Sequence, residues 1–112
     1  MSYEIGPRIG VEGEAEFRKS IQQINTNLKT LDTEMAAVAS GFEKGDKSQA
    51  AMAARSEVLN KQVDEQKNKL ELLKAGLAQA TEKYGETDKV TQGWQQSVNK
   101  ATADLNNMER EL

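Results

Sequence analysis

Phe17, Ile21, Ile24, Leu28, Leu31, Met35, Val38 and Phe42 follow one another at alternating spacings of four and three residues. At 3.6 residues per turn this lays eight apolar side chains along one narrow stripe of a helix, and such a stripe is buried by a partner helix packing knobs into holes. The chain is thereby committed to helix association.

The same grid recurs twice. Met52, Ser56, Leu59, Val63, Gln66, Leu70, Leu73, Leu77, Ala80 and Tyr84 continue it, and Trp94, Val98, Ala101, Leu105, Met108 and Leu112 form a third run. Val90 lies four residues before Trp94, so the third grid skips one place near Gly93, which disturbs a coiled coil locally without abolishing it. Ser56 and Gln66 are polar members of the second stripe. They either select register at a cost in stability or, the plainer expectation, sit partly in water. Trp94, the one tryptophan, is either a partner anchor or, the commoner case on a seam, core.

The breaks between the stripes carry turn chemistry. Gly41 and Gly45 bracket the first, and Asp46 with Gln49 three residues on resembles a capping box. Gly85 follows Tyr84 as a cap glycine would, and Thr87 is placed to cap the third helix. Helices are expected at about 14–42, 46–84 and 87–112. The fold class is all-α: long heptad-patterned helices forming a coiled coil or an antiparallel hairpin or bundle, with a short extended N-terminal segment. At about 39 residues and roughly 58 Å, the second helix outlasts its neighbours, so part of its stripe is expected to stay uncovered in a monomer and to favour a homo-oligomer.

Residues 1–13 differ from the rest. Ile5, Ile9 and Val11 alternate with Gly6, Arg8, Gly10 and Glu12, a period of two that suits a strand-like arm, with Pro7 confining any strand to about Arg8–Glu12 or to an edge. A frayed arm is the competing expectation. Residues 14–112 form the helical region.

Composition narrows function by exclusion. Eighteen acidic against fifteen basic residues give a net charge of −3, which supplies no field for nucleic acid or anionic lipid. No apolar run approaches the length of a membrane span. The chain contains no cysteine and no histidine, so thiolate metal sites, disulfides and the commonest general base are all missing. No phosphate-binding glycine loop and no calcium loop is present. Carboxylate pairs such as Asp64 with Glu65 fall on the polar face, where no water-poor pocket shifts their pKa. No catalytic, cofactor-binding or metal-binding residue is assigned, and the expectation is a protein that is not an enzyme. The candidate functional residues are the seam itself: the eight of the first stripe, then Leu59, Val63, Leu70, Leu73, Leu77, Tyr84, Trp94, Val98, Leu105 and Met108.

The stretch Arg8-Ile-Gly-Val-Glu-Gly-Glu-Ala-Glu-Phe17, followed by Ile21, Ile24-Asn25, Leu28-Lys29, Leu31 and Glu34-Met35, resembles the N-terminal region of tail tape measure proteins of siphophages and prophages of Gram-positive bacteria. Leu59-Asn-Lys-Gln62, Glu82-Lys-Tyr-Gly-Glu86, Trp94-Gln95 and Leu105-Asn-Asn-Met-Glu-Arg-Glu-Leu112 extend the likeness over nearly the whole chain. The Gly-Val-Glu-Gly-Glu lead-in is its least generic part. The resemblance implies a structural, non-enzymatic segment that helps set tail length and assembly. It also implies copies of the chain, tail tube, tail-tip and tail assembly chaperone proteins as partners, and a location in the virion tail lumen after assembly in the host cytoplasm.

Pro7 departs from the smoother lead of that family. The chain, stopping on the seam residue Leu112, reads as a fragment of a longer protein; fully helical, its 112 residues would span about 168 Å. Two other classes share the helical pattern. Small secreted helical-hairpin proteins usually carry Trp-x-Gly at the bend, whereas Gly93-Trp94 has the reverse order within a helix. Prefoldin-like chaperones flank long helices with β-hairpins, for which only the N-terminal arm offers a strand.

Overall fold

The computed structural model describes residues 6–43 and 45–111. Three helices account for most of them: α1 (Glu14–Ser40), α2 (Gln49–Tyr84) and α3 (Lys89–Glu111). The fold is all-α, and the described residues contain no strand.

The chain folds back on itself twice. Asn27 Nδ2 donates to Glu65 at 3.3 Å and Gln62 Nε2 to Asp32 at 2.9 Å, which sets α1 antiparallel to α2. Gln66 Nε2 donates to the Ala101 carbonyl at 3.1 Å and the Thr91 hydroxyl to the Ala80 carbonyl at 3.1 Å, which sets α3 antiparallel to α2 as well. The two outer helices therefore run parallel, both laid against α2. The body measures 52 × 23 × 21 Å, and its long axis matches the roughly 54 Å rise of the 36-residue α2. Of the two arrangements open to the sequence, an extended rod and a folded bundle, the chain adopts the bundle.

Helix boundaries follow local chemistry more tightly than the heptad grid suggested. The first helix stops at Ser40, two residues short of Phe42, where the Gly41 N–H turns back to the Val38 and Ala39 carbonyls. Asp46 and Gln49 do not form a capping box. Ser48 is the N-cap of α2, its hydroxyl accepting from Ala51 N at 3.2 Å, while Asp46 accepts from Ser48 N at 2.7 Å. The Ser48 N–H, with help from the Ser48 hydroxyl, holds the Asp46 carboxyl below its usual pKa. Thr87 does not cap α3 either. Asp88 does so, accepting from Val90 N at 2.8 Å, because a carboxylate reaches the second free N–H of the first turn and is favoured by the helix dipole.

The stripes of α2 and α3 are the core. Leu59, Val63, Leu70, Leu73, Val98, Ala101 and Leu105 are buried, with Ile9, Ile21 and Trp94 wholly so. Gln66 corrects the expectation of a wet seam: it is buried, and its donation to the Ala101 carbonyl fixes α3 against α2. Ser56 is exposed, as a wet site should be. The skip near Gly93 leaves α3 one continuous helix. The overlong α2 exposes its stripe only near its two ends, at Met52 (54%) and Ser56 and again at Tyr84, and the stripe between them is covered. It is α1 that remains incompletely covered. Only Ile21 and Leu31 of its eight stripe residues are buried, and Phe17, Ile24, Leu28, Met35, Val38 and Phe42 are half-buried.

Candidate functional site

Two features have an organisation that helix packing alone does not demand: a clasp at the end where the N-terminal arm meets α2 and α3, and the half-covered stripe of α1.

The clasp is built around Trp94. Its indole is fully buried and its Nε1 donates to the Pro7 carbonyl at 2.8 Å. Phe17 tilts against it with ring centroids 5.8 Å apart, and the Arg18 guanidinium lies 5.8 Å from the ring centroid. Space for so large a ring comes from missing side chains. A Cβ on Gly76 would sit 2.2 Å from the Trp94 ring, one on Gly6 2.9 Å from it, and one on Gly93 2.6 Å from Pro7.

Side chains from all three helices hold the arm by its backbone. Glu14 accepts from Ile9 N at 2.8 Å and Gly10 N at 2.6 Å. Arg18 donates to Glu14 at 3.0 Å and to the Gly6 carbonyl at 2.8 Å. Tyr84 donates to the Ile9 carbonyl and Lys83 to the Gly10 carbonyl, at 2.8 and 2.9 Å. The arm is therefore neither a strand nor a frayed end from Gly6 onward; the part of that expectation resting on residues 1–5 lies outside the described residues. Its period-two pattern does report burial, since Ile9 is buried and Val11 half-buried while Gly10 and Glu12 are exposed. A strand is absent because these backbone groups are satisfied by side chains instead of by a neighbouring strand.

Glu14 is the electrostatic centre of the clasp. Burial raises its pKa, but the Ile9 N–H, the Arg18 side chain and the Gly10 N–H together outweigh that, lowering the value from 4.5 to about 2. Because the folded pKa is depressed, the group's contribution is fully present above the unfolded pKa of 4.5 and is lost as pH falls through about 2. Glu14→Gln is expected to cost about 2 kcal/mol at pH 7. In denaturant titrations, the gap between the two proteins should narrow between pH 4.5 and 2; a gap constant with pH would mean that the charge of Glu14 does not hold the arm.

The candidate seam residues thus divide by place. Leu59, Val63, Leu70, Leu73, Trp94, Val98 and Leu105 meet in the interior, with Leu77 and Met108 half-buried at its edge. Tyr84 departs from the expectation: it is 39% exposed and serves as an anchor for the arm through its hydroxyl. Phe42 also departs, lying beyond α1 in the interhelix loop, where it lines a shallow hollow with Ala39, Lys47 and Arg55. Heptad patterning passes over Glu14, Arg18 and Gly76. The available signal was Glu14 and Arg18 at i, i+4 directly after a glycine-rich, proline-containing arm.

Among the described residues, no three histidine, cysteine, aspartate or glutamate side chains gather to hold a metal ion, and no helix is long and apolar enough to cross a membrane. Comparison with family models, curated proteins and solved structures produced no match.

Proposed function

We propose that this chain is a structural, non-enzymatic segment of a tail tape measure protein, contributing to the assembly and length of a phage or prophage tail. The observation that carries the reading is the clasp. The lead-in motif is the most distinctive part of the resemblance, and its Glu14 and the flanking Ile9 and Phe17 belong to one built unit around Trp94, with Arg18 directly after Phe17. Its spacing therefore has a structural reason beyond generic heptad bias. The buried stripes of α2 and α3 support the same reading, since they are spent on packing helices together. Under this reading the partners are copies of the chain and the tube, tip and chaperone proteins of the tail, met first in the host cytoplasm and then in the tail lumen.

Folding changes the arithmetic of such a ruler. A folded copy is 52 Å long, against about 168 Å for the same residues as one straight helix. Inserting a second, in-frame copy of the segment into the phage reading frame that carries it should lengthen tails seen by electron microscopy. An increment near 52 Å is expected if the bundle persists in the tail, and one near 168 Å if it is drawn out. Tails of unchanged length would remove the tape measure reading.

A further inference from the structure

α1 is joined to the rest of the bundle unevenly. Its backbone packs along α2 and keeps clear of that of α3, and of its eight stripe residues only Ile21 and Leu31 are buried. Asn25, 7% exposed, is enclosed by this packing with its side-chain nitrogen unpaired among the described residues. A buried amide with no partner recovers its hydration when the helix lifts into water, so Asn25 subtracts from the hold on α1. By contrast, α2 and α3 share a buried seam that the Gln66–Ala101 and Thr91–Ala80 hydrogen bonds fix from within.

The arm end is where α1 is tied to α3. Trp94 of α3, Lys83 and Tyr84 of α2, and Glu14 and Arg18 of α1 all grip the same stretch of backbone, residues 6–10. Phe17 adds its ring against Trp94. Each of these hydrogen bonds has the arm backbone as one partner, so withdrawal of the arm breaks them together.

We propose that the clasp is a latch for α1. When the arm leaves Trp94, α1 swings off as one unit, tethered to the rest of the chain at Gly41, while α2 and α3 stay packed as a hairpin. Segments held by few buried apolar contacts open at lower free energy than the whole chain, in contiguous cooperative units. The open form presents the heptad stripe of residues 17–38 as a free seam. The most regular stripe in the sequence is thus the one that the fold can release without unfolding the rest. The inference stands on the packing alone and is independent of the tape measure reading.

Native-state hydrogen exchange of the full-length chain tests the latch, under conditions in which opening and closing are fast relative to exchange. Amides of residues 21–35 should exchange as one group, with protection at least tenfold lower than that of residues 59–73 and 94–105. Thr91→Val removes a bond between α2 and α3 that survives opening of the latch. It should accelerate exchange in α2 and α3 about fivefold and leave α1 unchanged. Glu14→Gln loosens the latch itself and should accelerate α1 about thirtyfold at pH 7, the equivalent of the stability loss expected for it above. Equal protection in all three helices, equal acceleration of α1 and the hairpin by Thr91→Val, or an α1 indifferent to Glu14→Gln would each overturn the proposal. Exchange reports nothing about tail length, so the tape measure reading is judged separately.

Discussion

Replacing Trp94 with alanine is expected to cost about 4 kcal/mol of folding stability, the largest loss of any single truncation in the chain. Three contributions combine. The ring is wholly buried, so its removal opens a cavity that the helices around it, held by their own seam contacts, refill only partly. The Pro7 carbonyl loses the indole N–H as its donor. Phe17 and Arg18 lose the ring they pack against. Urea denaturation followed by circular dichroism reads the total, because the variant has no tryptophan to fluoresce. Trp94→Phe separates the terms: it keeps an aromatic ring and removes the donor, and should cost about 1.5–2 kcal/mol. A loss below about 1.5 kcal/mol for Trp94→Ala would mean that the indole is not the centre of the clasp.

Gly76→Ala should also destabilise, against the usual trend. Inside a helix, alanine is favoured over glycine by about 1 kcal/mol, and a surface glycine replaced in this way normally gains stability. Here the new Cβ would fall 2.2 Å from the Trp94 ring, with two further ring atoms at 2.5 and 2.7 Å. The clash cannot be relieved by rotating a flexible chain end, because the indole is pinned by Pro7 and Phe17. The helices must part or the ring must leave. Overpacking of this kind costs typically 1–3 kcal/mol, and severe contact with a rigid ring lies at the upper end, so a net loss of about 2 kcal/mol is expected after the propensity gain. A stabilised Gly76→Ala would show that α2 and α3 do not approach at this level. Combined with Trp94→Ala the loss should be less than additive, since the residue that the methyl strikes is gone.

Helix number, type and approximate extent were legible from the sequence because a 4-3 stripe admits little else. The antiparallel return was not. The same stripe serves a rod or a bundle equally, and the choice depends on turns whose decisive residues, Ser48 and Asp88, are ordinary polar residues until their hydroxyl or carboxylate meets a free N–H. Gln66 escapes the heptad pattern for a related reason: its acceptor is the Ala101 carbonyl, 35 residues away, and no local pattern announces a partner at that distance.

The clasp shows the limit most clearly. Period-two alternation in the arm correctly marked Ile9 as inward-facing, but alternation describes which side is buried and not what satisfies the backbone. The answer lay in Glu14, Arg18, Lys83, Tyr84 and Trp94, spread over nearly the whole chain. Gly76 gave no signal at all, since a glycine within a heptad run reads as a weak point until the ring that fills its space is known. For α1 the outcome is the reverse: the strongest stripe in the sequence is the least buried in the fold.

These three heptad stripes close on one another within a single chain and bring the N-terminal arm onto Trp94. Small-angle X-ray scattering of the full-length chain, at a dilution where it sediments as a monomer, tests it directly. The bundle has a Cα radius of gyration of 16.7 Å, longer than the roughly 13 Å of a rounded domain of this length. Scattering should return a value close to it, whereas a radius approaching about 48 Å, that of a straight rod of about 168 Å, would show an extended helix and rule out the closed bundle.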